Sequence, residues 1–466
     1  MSKQKAIEFL EAYGMDPSNL DLDSCVETFL EEMRRGLAGE DSSLEMIPTY
    51  IDLVEELPVG RKVIALDAGG TNLRVATVHF SEQLEAVIEN FERYTMPGVD
   101  REVSKEQFFR TFADYIAPHA EASERIGFCF SYSMDHTPDK DGRLNRFSKE
   151  IKAPEVIGEL VGENILAALA ARVGEGKAGG RPAGGSGSGN QGAGASGGSS
   201  ASASASRQRR LVLLNDTVAT MMAGKAASGR RSYSGYMGFI LGTGSNTCYT
   251  EANRNITKKP ELDPQGAQII NTESGNYARV PRGRIDLEFA AATRKPKEGI
   301  IEKMYSGAYL GALTLMVLRQ AAADGLLGRA AGQALAGLAD LATEDLHEAL
   351  VHPADVSHPL GAVLASAPVQ ERQLICFVID RLIERAAKLA AIVLSGCLLE
   401  SGAGHSPCAP VCIVVEGSMF YGLKSLRSRI EFYLKGYLED RQHRYYEIVR
   451  VENASLIGAA IAGLTN

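Results

Sequence analysis

The chain has 466 residues, of which 45% are hydrophobic and 23% are charged, the balance of a soluble globular protein. That length is too great for one hydrophobic core and predicts two domains of ordinary size. The formal net charge of −9 argues against nonspecific nucleic-acid binding, because a polyanion would be repelled.

The chain lacks the usual signals for membrane insertion, secretion and disulfide formation. No apolar run reaches about 18 residues, so no membrane span is expected, and the first residues lack the apolar core of a signal peptide. Seven cysteines are scattered without a Cys-x-x-Cys pair. This pattern predicts reduced thiols in a cytoplasm and gives no metal site.

Two predicted helices and two connectors precede the first strand. Apolar residues recur at helical spacing over 4–13 and 22–36, and Gly39 lies just beyond the second helix. The stretches 46–50 and 57–60 are expected to be extended connectors that lead to the opening strand.

A short apolar strand then ends in a glycine turn. The run Val63–Leu66 precedes Asp67, and apolar residues resume at Leu73, which predicts two strands joined by a tight turn. Glycines in such a turn allow positive φ and let backbone N–H groups approach a ligand. The residues placed to contact phosphate are Asp67, Gly69, Gly70, Thr71, Asn72 and Arg74. Asp67 is also placed to hold a hydrated metal ion, and an ordinary hairpin is the alternative interpretation.

The next segments supply hydroxyl groups and a lysine. Residues 126–133 predict a buried strand with Ser131 near its end. Ser148 and Lys149 follow in a polar segment, before a predicted helix over 155–172.

Residues 174–206 differ in kind from the rest, since 27 of these 33 residues are Gly, Ala or Ser. Such a segment cannot bury enough apolar surface to offset its ordering entropy, so disorder is predicted. We interpret it as a loop insertion within a domain, and an interdomain linker is the alternative. Deleting residues 178–204 is therefore expected to leave activity and melting temperature nearly unchanged.

The second half of the chain repeats the opening pattern. A buried-type strand leads to Asp216 and a predicted helix over 217–227. Tyr236–Tyr249 again combines an apolar strand, a glycine turn with hydroxyl groups and an apolar strand. The two glycine turns, Asp67–Arg74 and Gly242–Ser245, lie about 175 residues apart and each heads one half of the molecule.

Helices and one further strand complete the chain. The span 301–350 predicts helices, and 371–399 predicts one long helix whose charges, Arg385 among them, are expected to face solvent. The segment Pro410–Ser418 predicts a strand followed by Gly-Ser, and 454–464 predicts a helix of small residues.

Polar side chains at strand ends form a second set of candidates, distinct from the glycine turns. Amides, carboxylates and hydroxyls at these positions suit hydrogen bonding to a polyhydroxylated ligand, and a carboxylate there suits a general base. The set is Asn215, Asp216, Asn246, Glu273, Glu302, Ser131, Ser148 and Lys149. The two glycine turns could hold phosphates through backbone N–H and hydroxyl donors, and Gly417 and Ser418 could contact a nucleoside.

Several motifs, in order along the chain, resemble those of the hexokinase family of the type found in eukaryotes and some bacteria. The resemblance covers nearly the full length except residues 174–206. The matching segments are Asp67–Arg74, Leu214–Met222, Leu241–Tyr249, Asn271–Glu273, Glu302–Gly307 and Val415–Ser418.

The resemblance implies an α/β fold, the two-lobed actin-like ATPase (ribonuclease H-like) fold, with a sugar and ATP cleft between a small and a large lobe. The expected small lobe is 63–214 plus 455–466, and the expected large lobe is 1–62 plus 215–454. The implied reaction is transfer of the γ-phosphate of ATP to the 6-hydroxyl of glucose or a related hexose, the first step of glycolysis. ATP and Mg²⁺ are the implied cofactors.

The resemblance also assigns roles to individual residues. Asp216 would be the catalytic base, and Asp67 would hold Mg²⁺ through water. The expected hexose contacts are Ser131, Ser148, Lys149, Asn215, Asn246, Glu273 and Glu302. The expected ATP contacts are Asp67, Gly69, Gly70, Thr71, Asn72, Arg74, Gly242, Thr243, Gly244, Gly417 and Ser418.

Two departures from the family pattern concern the sugar loop. The sequence Ser131-Tyr132-Ser133 lacks the proline of the family's Ser-Phe-Pro turn, and Glu150 follows Lys149 where the family has glycine. The choice of hexose therefore stays open, as does a kinase for another polyol or an amino sugar.

Other interpretations remain for the molecule and for single residues. A non-catalytic, sugar-binding regulator on the same fold is the alternative function, although an intact Asp216 and intact glycine turns favour the enzyme. Asp216 could be only a helix cap, and Lys149 only a surface charge. The two glutamates could be structural, and the two serines could be loop hydroxyls.

Overall fold

A computed structural model describes residues 3–53, 56–147, 151–178, 209–227, 229 and 231–466. Most of the predicted Gly/Ala/Ser insertion, and both Ser148 and Lys149, lie outside the described residues. The predicted start of the disordered insertion, at residue 174, was wrong, because the preceding helix continues through Ala178.

The described strands are β1 (Ile47–Pro48), β2 (Val63–Gly69), β3 (Asn72–Phe80), β4 (Ala86–Thr95), β5 (Arg125–Phe130), β6 (Ser133–His136), β7 (Gly142–Arg146), β8 (Arg210–Leu214), β9 (Gly235–Leu241), β10 (Ser245–Ala252), β11 (Ala267–Asn271), β12 (Val411–Glu416) and β13 (Tyr446–Val449). The described α-helices are α1 (Lys3–Ala12), α2 (Leu22–Ala38), α3 (Lys105–Ile116), α4 (Val161–Ala178), α5 (Asp216–Ala227), α6 (Arg284–Ala292), α7 (Glu302–Tyr305), α8 (Leu310–Ala323), α9 (Arg329–Gly337), α10 (Thr343–Val351), α11 (Pro359–Ser366), α12 (Val369–Glu400), α13 (Ser418–Gly422), α14 (Leu426–Leu434) and α15 (Ala454–Thr465).

The chain divides into two compact units. The larger unit comprises Met1–Glu55 and Asn215–Gly458, and the smaller unit comprises Glu56–Leu214 and Ala459–Asn466. Each unit has its own buried apolar core and its own main sheet.

The two main sheets share one plan. In the smaller unit the strand order is β4-β3-β2-β5-β8, and in the larger unit it is β1-β11-β10-β9-β12-β13. In each sheet three consecutive strands, β2–β4 or β9–β11, form an antiparallel meander, and two further strands extend the sheet in parallel from the first strand of the meander. The larger sheet has β1 as an additional edge strand, antiparallel to β11. The glycine turns are the first hairpin of each sheet, so they occupy corresponding positions in the two units.

The observed division differs from the expected lobe boundaries at two places. Residues 56–62, expected in the large lobe, belong to the smaller unit, where Val59 pairs with Phe80 at the end of β3. Residues 455–458, expected in the small lobe, belong to the larger unit. A Cβ atom at Gly458 would lie 1.8 Å from the carbonyl oxygen of Ala219, so α15 begins in close contact with α5.

Helix α12 is the central helix of the larger unit, and nineteen of its residues are buried. The prediction that its charges face solvent was wrong for Arg385, which is 1% exposed. Arg385 forms a two-point ion pair with Asp286, with distances of 3.2 Å and 2.5 Å. Among the described residues, no helix is long and apolar enough to cross a membrane.

The helical region 301–350 is interrupted more often than its sequence predicts. Helix α7 ends at Tyr305, and α8 begins at Leu310. Tertiary hydrogen bonds explain the break, because the Gly307 N–H donates to the Gly242 carbonyl at 2.8 Å. The break therefore attaches this region to the second glycine turn.

Candidate functional site

A network of amides and a carboxylate lies at the start of β10 and the end of β11 in the larger unit. The Asn246 amide donates to Asn271 Oδ1 at 2.8 Å and to Glu273 Oε1 at 3.1 Å. Asn271 also donates to Glu273 Oε1, at 2.8 Å. Two predicted hexose contacts, Asn246 and Glu273, are thus joined directly, and Asn271 holds both in place.

Glu273 is held in an uncommon backbone conformation. Its φ of 54° and ψ of 43° lie in the left-handed region, which is strained for a residue with a side chain. Burial raises the pKa of Glu273 to about 7, helped by the charges of Glu45 and Asp216, while Asn271 and Asn246 oppose the shift. A carboxyl group in this state can accept or donate a hydrogen bond near neutral pH.

Glu302, at the start of α7, contacts the same end of β10. Its Oε2 accepts the Ser245 N–H at 2.9 Å. Burial raises its pKa, and the Ser245 N–H and the Lys303 charge oppose that shift. A Cβ atom at Gly244 would lie 2.8 Å from Glu302 Oε2, so glycine is needed there for the carboxylate to approach the turn.

Asp216 is the first residue of α5 and directly follows Asn215 at the end of β8. Asp216 Oδ1 accepts the Thr217 N–H at 2.8 Å, and Asn215 Oδ1 accepts the same N–H at 2.8 Å. Both side chains are partly buried. Asp216 therefore has the helix-cap contact that its alternative interpretation describes, and its charge also acts on Glu273.

The second glycine turn joins β9 to β10 and packs closely on Gly417. Gly242 N–H donates to Gly244 O at 3.0 Å, which closes the turn around Thr243. Gly417 has a φ of 127°, and a Cβ atom there would lie 2.1 Å from the Leu241 carbonyl oxygen. Only glycine fits this approach of two backbones, so the predicted phosphate and adenosine segments are in contact.

A cavity of about 430 Å³ adjoins this contact in the larger unit. It is lined by Gly417 and Ser418 together with Glu416, Tyr421, Arg450 and Asn453. The Arg450 guanidinium lies 4.6 Å from the centre of the Tyr421 ring, in cation–π geometry. The flat guanidinium and the ring beside it suit contact with a planar aromatic base.

The first glycine turn, in the smaller unit, joins β2 to β3. Gly69 pairs with Asn72 in the hairpin, and Gly70 has a φ of 69°, which glycine adopts without strain. The buried carboxylate of Asp67 forms an ion pair with Arg74 on the neighbouring strand. The turn thus has a carboxylate and a cation at its base and backbone N–H groups at its tip.

Ser131 lies beside this turn, and its neighbour Tyr132 is hydrogen-bonded to the turn. Ser131 N–H donates to Ala68 O at 3.1 Å, and a Cβ atom at Gly69 would lie 3.9 Å from the Ser131 hydroxyl. The buried Tyr132 hydroxyl donates to Gly70 O at 2.6 Å. The predicted partners of Ser131 in the sugar loop, Ser148 and Lys149, lie outside the described residues.

The predicted residues therefore fall into two groups, one in each unit. Asn215, Asp216, Asn246, Glu273, Glu302 and the Gly242–Gly244 turn belong to the larger unit, with Gly417 and Ser418. Ser131 and the residues Asp67–Arg74 belong to the smaller unit. In the larger unit, Asn246, Glu273 and the Gly242–Gly244 turn lie at the ends of neighbouring strands, and Glu302 contacts this end of β10 from α7.

The donor set fits a phosphate ligand better than a metal held by protein side chains alone. In the described part of the chain, no group of three or more His, Cys, Asp or Glu side chains could hold a metal ion. Mg²⁺ keeps several waters and is usually bound through one or two carboxylates plus substrate phosphates. Asp67 is the predicted carboxylate, and it forms an ion pair with Arg74.

Comparison with known proteins places the chain in a family. One hexokinase family model matches residues 8–226, and a second hexokinase family model matches residues 236–465. The chain belongs to the hexokinase family. The resemblance predicted from the motifs is thereby confirmed.

Two relatives with similar sequences match most of this chain, at less than 30% identity. Hexokinase-5 of Oryza sativa subsp. japonica is 28% identical, with 93% of this chain and 84% of that protein covered. The hexokinase-like 1 protein of Arabidopsis thaliana is 27% identical, with 94% and 86% covered. Such similarity supports a sugar kinase.

Solved hexokinase structures show the same fold. A hexokinase from Schistosoma mansoni, complexed with glucose, superposes with a TM-score of 0.70 at 21% identity, and each chain is fully covered. Another hexokinase crystal structure gives a TM-score of 0.72 at 20% identity, with 99% of this chain and 98% of that chain covered. The predicted two-lobed actin-like ATPase fold is confirmed.

Sequence reasoning missed several residues of the site. Asn271 was noted only as part of a motif, although its amide joins Asn246 to Glu273. Arg450 and Asn453 line the cavity beside Gly417, but they lie in a polar stretch far along the chain. Their position just before a helix of small residues was the available signal, and it was too general to single them out.

Proposed function

We propose that this protein transfers the γ-phosphate of ATP to the 6-hydroxyl of glucose or a related hexose, with Asp216 as the general base. The observation that carries this proposal is the position of the polar groups of the larger unit around one strand start. Glu302 binds the Ser245 N–H, and Asn246 binds Glu273. Two carboxylates and two amides at adjacent positions suit a ligand with several neighbouring hydroxyls.

Asp216 is suited to accept a proton from a hydroxyl held by this network. Its Oδ1 accepts the Thr217 N–H at 2.8 Å, and this contact orients the carboxylate. A positioned base typically contributes about 100- to 10,000-fold in rate. The effect of its charge on Glu273 supports a position beside the hexose contacts.

Backbone and hydroxyl donors of the glycine turns would bind the phosphates. Thr243 and its flanking glycines supply such donors in the larger unit, and Thr71, Asn72 and Arg74 supply them in the smaller unit. Bound Mg²⁺, held through water at Asp67, would neutralise phosphate charge in a reaction that depends mainly on positioning and electrostatics. The cavity beside Gly417 and Ser418 would take the adenosine.

A coupled assay of ATP consumption tests this proposal directly. Glucose, mannose, fructose and glucosamine would be supplied in turn with ATP and Mg²⁺, and binding of each sugar would be measured by calorimetry. Hexose-dependent formation of ADP is the expected result. Sugar binding without ADP formation would instead favour a non-catalytic, sugar-binding regulator.

We also propose a cytoplasmic location and a role in the first step of glycolysis. The seven cysteines are scattered without a Cys-x-x-Cys pair, a pattern typical of proteins in a reducing compartment. Cell fractionation with an antibody against the protein would test the location, and hexose 6-phosphate levels in a deletion strain would test the role.

A further inference from the structure

The buried side chain of Tyr132 contacts the first glycine turn through its hydroxyl group. The hydroxyl donates to the Gly70 carbonyl at 2.6 Å, and only 3% of Tyr132 is exposed. The Tyr132 ring packs against Phe130, with ring centres 4.6 Å apart, and edge-to-face against Phe147, at 5.2 Å. Because these aromatic contacts hold the ring in the core of the smaller unit, the hydroxyl is a fixed donor beside the turn.

The turn has one buried residue among exposed ones. Gly70 is buried, whereas Gly69, Thr71 and Asn72 are exposed. Glycine has no Cβ atom and therefore permits more orientations of the following peptide than any other residue does. The backbone at Gly70 thus does not by itself fix the orientation of the Gly70–Thr71 peptide.

The planarity of this peptide links the Gly70 carbonyl to the Thr71 N–H. In a trans peptide the C=O and N–H bonds lie in one plane and point in opposite directions. Since Tyr132 holds the carbonyl on the core side of the turn, the Thr71 N–H lies on the opposite, exposed side. A backbone N–H in that position is the kind of donor that phosphate oxygens accept.

The next peptide of the turn is fixed by a second buried group. The Thr71 carbonyl accepts the Met96 N–H at 3.0 Å, and Met96 is 1% exposed. The carbonyls of both Gly70 and Thr71 are therefore directed at buried donors. An anion that approaches the exposed side of the turn meets neither carbonyl oxygen.

We propose that Tyr132 is a positioning residue for phosphate binding, because its hydroxyl keeps the Gly70 carbonyl turned away from the ligand. Without this hydrogen bond the Gly70–Thr71 peptide is free to rotate, and a rotated peptide presents a carbonyl oxygen to the anionic phosphate. The apparent affinity then falls in proportion to the fraction of molecules in the competent orientation. This role of Tyr132 rests on the proposed binding of ATP phosphates by the Asp67–Arg74 turn, and it adds a residue from outside that turn.

Tyr132→Phe tests the proposal, because it removes the hydroxyl and keeps the ring that packs on Phe130 and Phe147. Two ligands would be titrated by calorimetry with glucose present: the β,γ-imido analogue of ATP with Mg²⁺, and adenosine. We expect Tyr132→Phe to weaken binding of the ATP analogue about fivefold, the scale of one hydrogen bond. Adenosine carries no phosphate, so its affinity should stay within about twofold of the wild type.

The matched control is Tyr433→Phe in the larger unit. The Tyr433 hydroxyl donates to Glu384 at the same distance, 2.6 Å, and neither residue belongs to the proposed hexose or ATP contacts. Its loss should leave both titrations unchanged. Thermal melts of the two variants establish that each is folded at the temperature of the titrations.

The comparison of the two ligands decides the result. A loss of affinity in Tyr132→Phe that is confined to the ATP analogue supports the positioning role. Unchanged analogue binding, an equal loss for adenosine, or an equal loss in Tyr433→Phe would overturn it, because general damage to the fold affects both ligands. If the wild type binds no ATP analogue, the proposed function fails and the role of Tyr132 fails with it. If the wild type binds the analogue and Tyr132→Phe binds it equally well, only the role of Tyr132 fails.

Discussion

At the scale of single residues, the proposed sugar site of the larger unit is built from few side-chain contacts. Asn246 uses its amide to hold Asn271 and Glu273, and its oxygen accepts the Thr247 N–H at 2.8 Å. Each polar group is thereby oriented before any ligand binds. Orientation of this kind lowers the entropy that binding must overcome.

Glu273 should make stability depend on pH. Its pKa rises from 4.5 to about 7 on folding, so the folded protein keeps this proton to higher pH than the unfolded chain. The free energy of unfolding therefore falls as pH rises through this window, by at most about 3 kcal/mol from this group. Glu273→Gln should reduce that fall, as measured by urea unfolding at pH 5 and pH 8.

A matched control for Glu273 is available on the surface. Glu8→Gln removes an exposed carboxylate on α1 and should leave the pH dependence of unfolding unchanged. Equal pH dependence in the wild type and Glu273→Gln would show that burial of Glu273 does not shift its titration.

Gly417 should tolerate no side chain. With a φ of 127° and a Cβ position 2.1 Å from the Leu241 carbonyl oxygen, Gly417→Ala combines strain and a backbone clash. We expect a loss of at least about 2 kcal/mol in unfolding free energy and a raised KM for ATP. Gly422→Ala is the control, because Gly422 ends the short helix α13 that Gly417 precedes and no atom lies within 4 Å of its Cβ position. Similar unfolding midpoints for the two variants would contradict this account.

At the scale of elements, α12 depends on a buried ion pair. Arg385→Met leaves the buried charge of Asp286 without its partner and should cost about 3–5 kcal/mol of unfolding free energy. In R385M/D286N the asparagine can still accept the Gly283 N–H, which now donates to Asp286 at 2.7 Å, so part of the loss should be recovered. Denaturant unfolding of the two variants measures the difference.

The exposed pair Arg427–Glu431, at 2.8 Å on α14, provides the comparison for Arg385. Arg427→Met should cost less than about 1 kcal/mol, because water screens exposed ion pairs. If Arg385→Met lowers the unfolding free energy no more than Arg427→Met does, burial does not make the Arg385–Asp286 pair costlier to break than an exposed pair.

The elements that depend on short stretches of sequence were predicted correctly. The two glycine hairpins and the helix beginning next to Asp216 follow from short patterns of apolar residues, glycines and caps. Long-range contacts were not predictable in this way. The burial of Arg385 depends on Asp286, about a hundred positions earlier, and the break before α8 depends on the carbonyl of Gly242.

At the scale of the whole molecule, the repeated sheet plan organises the candidate site. In both units a glycine hairpin begins an antiparallel meander that is flanked by parallel strands. The family resemblance was readable from motifs in order along the chain, and the strand order was not, because register and neighbours depend on the packing of distant segments. The role of each site residue stays a prediction.

Asp216→Asn tests the central claim most directly. Steady-state phosphorylation of glucose and calorimetric glucose binding should be measured for the wild type and the variant under the same conditions. We predict a kcat at least about 100-fold lower in Asp216→Asn, with glucose affinity within a few-fold, because the amide keeps the helix-cap hydrogen bond but cannot accept the proton. Turnover of Asp216→Asn within a few-fold of the wild type would contradict the assignment of Asp216 as the base.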